Sequence, residues 1–292
     1  MMIMFFYKLY NNLLHAPNKI FYPISPEIII DNNFKKKGYK ISKTEDSHKD
    51  FLSNLLKNIY KDIDLNSLKE RMIKKNENSY SHNIFDLISL QEKESLEKYY
   101  SSQNQIDIVS SLLGTKCKLR NILINFNFYN GKTIEEEGSK MWHRDSDSLS
   151  DQLKIFIPLT SMTFENGMFY FISNEDISSF QKFKLDKKKI YDENISTWNK
   201  FRTEDKKVIN YLQDKKKIKY FMGNLGDILY IDTSRVYHKG GYVKSDNSLR
   251  LMLQLTYTPI LSLTSWNNNQ NRLSNFLQKK LNNLKIKLQK NL

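Results

Sequence analysis

The sequence predicts a mainly β core flanked by helices, an α+β arrangement in which short strands build a sandwich or barrel. Three observations lead there. From Phe51 to Gly114 the apolar residues recur at helical spacing. From Lys118 to about residue 258 the pattern changes to short runs rich in β-formers, separated by turn signals. Beyond residue 262 a helical pattern returns.

Residues 1–48 read as irregular, with Pro17, Pro23, Pro26 and the lysine-rich stretch Phe34–Gly38. Phe51, Leu52, Leu55, Leu56, Ile59 and Ile63 then fall on one helical face. Further helices are expected over 65–75, 84–100 and 103–113, the last ending on Gly114 as a C-cap. LRNILINFNFYN opens the β region with a strand over 119–129. Strands follow at 153–160, 167–172, 217–222, 226–232, 236–242 and 249–258, with turns at Asn130-Gly131, Asn166-Gly167 and Gly223-Asn224. Residues 174–215 form a polar insert with lysine runs at 187–189 and 215–217, readable as a lid or as a solvated excursion. Leu273, Phe276, Leu277, Leu281 and Leu284 describe a C-terminal amphipathic helix packed on the barrel. The expected organisation is a helical region over 1–114, a core over 115–262 and the helix over 263–292, making one catalytic domain without internal repeats.

Composition narrows the function classes. With 39% hydrophobic and 13% aromatic residues the chain is globular. A single cysteine, Cys117, excludes an intrachain disulfide and leaves a zinc finger without ligands. The N-terminal apolar run stops at Tyr7-Lys8, short of a signal-peptide core, and no stretch reaches membrane-span length. A soluble, cytoplasmic protein is expected, its oligomeric state open. The net charge of +14 comes mostly from lysine, with only seven arginines among the 46 basic residues. Without an arginine cluster or an RNA-binding signature, the charge reflects composition more than a nucleic-acid partner.

Chemistry concentrates in a few residues. His15, His48 and His82 lack a partner pattern and read as surface or structural residues. His143 and Asp145 stand in Met141-Trp-His-Arg-Asp145, where i and i+2 share a side of an extended segment. His238 follows the Gly226-Asp227 strand and precedes a Gly-Gly pair. Two neutral nitrogens and one anionic oxygen can occupy one face of an octahedron, the donor set of non-haem Fe(II) oxygenases. Arg250 lies twelve residues beyond His238 on the apolar strand LRLMLQL. A buried arginine there needs a partner, and one carboxylate of a dicarboxylate co-substrate would pair with it bidentately.

With these residues the sequence resembles the phytanoyl-CoA dioxygenase-like branch of Fe(II)/2-oxoglutarate oxygenases. The likeness spans roughly 103–258 through Trp142-His143-Arg144-Asp145, Leu153–Leu159, Glu165–Phe169, Gly226-Asp227, His238 and Arg250. It implies a double-stranded β-helix, a jelly-roll or cupin-like barrel flanked by helices. It further implies His143, Asp145 and His238 as Fe(II) ligands and Arg250 as the 2-oxoglutarate partner, with dioxygen and a small-molecule substrate completing the reaction. Where the family often has Pro-Gly-Ser-His, Ser173-Asn174-Glu175-Asp176 stands here, which leaves the substrate class open. Relatives that halogenate lack the carboxylate that Asp145 supplies, so hydroxylation or a related oxidation is the expected chemistry.

Lys154, Asn125 and Asn127 are further co-substrate candidates; the alternative for Lys154 is a strand-edge lysine. Trp142, Arg235 and Tyr237 are substrate candidates, Trp142 alternatively packing behind the site. Two rival functions stay open. One is a cupin-like metal enzyme that does not use 2-oxoglutarate, against which Arg250 argues. The other is a basic binding protein on a degenerate barrel, against which the intact triad argues.

Overall fold

The computed structural model describes residues 22–74, 82–129, 138–145, 151–178, 202–212, 214–246 and 248–260. The N-terminal apolar run, the Asn130-Gly131 turn, most of the insert and the C-terminal helix lie outside the described residues. Among those described, no helix is long and apolar enough to cross a membrane.

Two antiparallel sheets carry the core. The larger contains β1 (Tyr39–Lys43), β2 (His82–Asn83), β3 (Cys117–Phe128), β4 (Leu153–Pro158), β7 (Asp227–Asp232) and β9 (Leu249–Pro259), in the order β1-β7-β4-β9-β3-β2. The smaller contains β5 (Phe169–Ile172), β6 (Ile218–Phe221) and β8 (Tyr237–Gly240), in the order β6-β5-β8. The chain passes repeatedly from one sheet to the other, consistent with a jelly roll. Among the described residues no ladder joins the two sheets into a closed barrel.

Strand alternation sorts side chains onto the two faces of the large sheet. Leu153, Ile155 and Ile157 of β4, Leu251, Leu253 and Leu255 of β9, and Ile124, Phe126 and Phe128 of β3 face a helical layer. That layer comprises α2 (Asp46–Asp62), α3 (Leu65–Lys74), α4 (Leu90–Tyr100) and α5 (Gln103–Leu113). Helix α2 contributes Leu52, Leu55 and Ile59, as the i, i+3, i+7 spacing requires. Helix α5 stops because Gly114 takes the left-handed conformation, φ 71°, and returns its N–H to Ser110 O. On the opposite face Phe156, Leu229, Ile231 and Met252 meet Phe169, Phe171 and Phe221 of the small sheet. A third cluster covers the outside of the small sheet, where Trp142, Ile172 and Tyr237 pack on Val208 and Leu212 of α6 (Asp205–Leu212).

Two expectations need correction. Residues 32–43, read as irregular, form α1 (Asn32–Lys37) and the edge strand β1. Ile41 is half exposed, so β1 shows no continuous apolar face, and its lysines suit an edge that must not recruit another strand. The helix expected from residue 84 begins instead at Leu90, where Ser89 and Glu92 form a capping box.

Candidate metal centre

The segment before His143 and the strand carrying His238 hold each other by backbone. His143 N donates to His238 O at 3.0 Å, and His238 N donates to His143 O at 2.9 Å. Trp142 makes the same reciprocal pair with Thr203 on the other side. Asp145 N donates to Thr233 O at 2.8 Å, tying the carboxylate to the turn after β7. Asp232 organises that turn through Ser234, Arg235 and the Val236 N–H, and so directs the chain into β8.

These constraints bring His143, Asp145 and His238 together, each offering a ligand atom within 4.8 Å of the others. His143 Nδ1 donates to Met141 O at 2.7 Å, and His238 Nδ1 donates to Val236 O at 3.0 Å. A carbonyl can only accept, so each ring carries its proton on Nδ1 and keeps an Nε2 lone pair. Both lone pairs face Asp145, with His143 Nε2 3.8 Å from Oδ1 and His238 Nε2 3.9 Å from Oδ2. Burial, and then His238, push the His143 pKa well down; burial takes His238 down to about 4. Both rings are therefore neutral near pH 7, the form that ligates metal. Burial alone would raise the Asp145 pKa. The surrounding groups, led by Lys154 with its Nζ 2.7 Å from Oδ2, together oppose burial and hold the carboxyl below its usual range.

Arg250 sits at 3% exposure on the inner face of the large sheet, opposite Asn127 in register. Its Nε and Nη2 donate to Asn127 Oδ1 at 3.3 and 3.0 Å. Among the described residues no carboxylate pairs with it, and burial lowers its pKa to about 10. Lys140, which carried no signal in this lysine-rich sequence, lies in the same region at 2% exposure. Its Nζ donates to Gly241 O at 2.5 Å, and burial, then Arg250, push its pKa well down. A side chain on Gly167 would come within 2.8 Å of Arg250 Nη1 and 2.9 Å of Gly241 O, so a glycine lets the two cations close on this point.

The other candidates take different places. Lys154 faces inward and engages Asp145. Asn125 is buried, and its Nδ2 donates to Gln254 Oε1 at 3.1 Å. Trp142 Nε1 donates to Asp205 Oδ1 at 2.6 Å within the cluster outside the small sheet. Tyr237 precedes His238 on β8, so it faces that cluster, its hydroxyl 3.3 Å from Thr203 Oγ1. Arg235 ion-pairs with Asp232 at the turn. Asp205, for which the sequence also carries no signal, takes both Trp142 and Lys239 and so clamps α6 to the small sheet. A cavity of about 310 Å³ lies on this outer side, lined by Phe164, Gly167, Tyr170, Asp205, Lys239, Gly241, Tyr242 and Lys244. Among the described residues its wall holds no triad residue, and it meets the inner site at Gly167 and Gly241.

No family model and no curated protein matches the sequence. Among solved structures the chain is similar to the epimerase SnoN in complex with Fe3+, alpha ketoglutarate and nogalamycin RO, at 12% identity and TM-score 0.47, covering 78% of this chain and 82% of that one. It is also similar to EctD from S. alaskensis in its apoform, at 14% identity and TM-score 0.48, covering 80% and 79%. A third likeness is to AviO1 from Streptomyces viridochromogenes Tue57, at 10% identity and TM-score 0.46, covering 78% and 93%. The donor set, not these likenesses, defines what the centre can hold.

Proposed function

We propose that His143, Asp145 and His238 hold Fe(II) and that the chain is a 2-oxoglutarate-dependent oxygenase hydroxylating a small molecule. One observation carries the reading: two imidazoles, each fixed by a carbonyl at Nδ1, aim bare Nε2 atoms at one carboxylate. Two nitrogens and one oxygen suit iron, and three ligands leave coordination positions for co-substrate and dioxygen. Bound iron would supply dioxygen activation, with 2-oxoglutarate leaving as succinate and carbon dioxide.

The chain's own residues would do the rest. The carbonyls of Met141 and Val236 orient the rings. Lys154 keeps Asp145 ionised and holds one of its oxygens. Arg250, buried and among the described residues donating to an amide oxygen, would take the far carboxylate of 2-oxoglutarate. Phe156, Phe169 and Met252 line the space between the sheets and keep it apolar. Arg250 separates this reading from a metal enzyme on the same scaffold that uses no 2-oxoglutarate. The phytanoyl-CoA dioxygenase-like resemblance supports it through Trp142–Asp145, His238 and Arg250, but Ser173–Asp176 does not support an acyl-CoA substrate.

Anaerobic addition of Fe(II) and 2-oxoglutarate tests the proposal. A weak metal-to-ligand charge-transfer band in the visible, and succinate release once air is admitted, are expected. His143→Ala should abolish both signals, while Arg250→Ala should raise the 2-oxoglutarate concentration needed without abolishing iron binding. A wild-type chain giving neither band nor succinate would overturn the assignment.

A further inference from the structure

We infer that Lys140 is the second cation of the co-substrate's anion site, so that the distal carboxylate of a 2-oxo dicarboxylate meets Lys140 and Arg250 together. The inference rests on the proposed function and adds a residue and a selectivity to it. Both cations are buried, at 2% and 3% exposure. Among the described residues neither has a carboxylate partner: Arg250 faces Asn127 Oδ1, and Lys140 faces Gly241 O and, at 5.2 Å, the Tyr242 ring. Burying two like charges with only neutral acceptors is costly. An anion between them would compensate both.

Position agrees with charge. His238 and Gly240 alternate onto the same face of β8. A Cβ on Gly240 would touch Lys140 Cδ and Nζ at 3.7 and 3.8 Å, so the lysine stem lies over Gly240 on the His238 side of the strand. Arg250 reaches the same end from β9, through the Gly167–Gly241 contact. The metal ligands thus lie at one end of the inner space and the two cations at the other, the arrangement a molecule with a chelating head and an anionic tail requires. Lys239, the other lysine close enough to influence Lys140, is already paired with Asp205.

The test is calorimetric binding to the full chain loaded with Mn(II), which needs no turnover. The probes are 2-oxoglutarate and 2-oxobutyrate, which share a chelating end while only the first has a distal carboxylate. The wild type should prefer 2-oxoglutarate. Lys140→Met should weaken 2-oxoglutarate by about tenfold to a hundredfold, the range of a charge-assisted hydrogen bond, and leave 2-oxobutyrate unchanged. Lys140→Gln, which keeps a donor for Gly241 O without the charge, should show the same selective loss, and Lys140→Arg should restore part of it. Unchanged 2-oxoglutarate affinity in both neutral variants would overturn the inference. So would equal losses for both probes, which would make Lys140 only a brace for Gly241. A wild type that takes up Mn(II) and binds neither acid overturns the proposed function itself, and this inference with it.

Discussion

At the scale of single residues, Asp145 shows how the site balances charge before any metal arrives. Its carboxylate is largely removed from water, and Lys154 compensates it at 2.7 Å. A divalent cation at the triad would act on the same carboxylate. Lys154→Met should therefore destabilise the metal-free protein by about 1–3 kcal/mol, below the usual cost of breaking a fully buried pair because both side chains keep some exposure. Bound metal should then restore more in the variant than it adds in the wild type, since it replaces a missing positive charge. Melting temperatures with and without Mn(II) measure this. Equal metal-induced rises in the two proteins would show that lysine and metal do not share that carboxylate. The residue scale also shows why some candidates landed elsewhere. His238 and Tyr237 are neighbours in sequence, but a strand turns neighbours to opposite faces, so a ring at 237 faces α6 when the ring at 238 faces inward. Arg235, a candidate for an anionic ligand, ion-pairs with Asp232 at the turn before β8. Lys140 could not be read at all, because nothing local distinguishes it among so many lysines; only the return of β8 and β9 to one end of the fold gives it meaning.

At the scale of elements, the long strands with one apolar face were legible nearly to their ends, whereas the edge strand β1 was not. β4 and β9 place leucines and isoleucines against the helical layer at every second position, and their limits agree with the expected ones to within two residues. β1 has no such face. The start of α4 was misplaced because Ile84 and Ile88 look like a continuing helix, whereas both are buried on the approach to the capping box. The end of β8 is the place on which the two halves of the proposed site depend. A Cβ on Gly241 would collide with the backbone oxygen of Met168, which cannot swing aside as a side chain could. Gly241→Ala should cost about 1–3 kcal/mol through local backbone displacement. Its damage should be uneven. His238 is held by its own backbone pair to His143, whereas Gly241 supplies the acceptor for Lys140. Mn(II) affinity should stay within a few-fold of wild type while 2-oxoglutarate affinity falls by tenfold or more. Titrating each ligand in turn checks this, and equal losses would mean that the whole strand has moved.

At the scale of the whole molecule, the helical layer is joined to the sheets by a buried polar chain as well as by apolar contacts. Thr44, which follows β1 and bonds to Gly226 O, hydrogen-bonds with His48 of α2. His48 also bonds with Tyr100 at 2.8 Å, and Tyr257 of β9 donates its hydroxyl to Tyr100 O at 2.7 Å. The His48 ring stacks on Tyr99 with centroids 4.6 Å apart. Burial lowers its pKa to about 4, so the folded chain keeps it neutral at pH values where the unfolded chain, titrating near 6.5, takes up a proton. The stability this provides is complete above about pH 6.5, declines as the pH falls below that value, and is lost by about pH 4. The triad histidines are shifted in the same direction, so the metal-free chain should melt at steadily lower temperature across that window. His48→Gln keeps a donor and an acceptor but cannot titrate there. Its melting temperature should start lower at pH 7.5 and fall less steeply, so that the two curves converge toward pH 4.5. Curves recorded in chelator that run parallel over this range would remove His48 from the acid response and leave the triad to account for it.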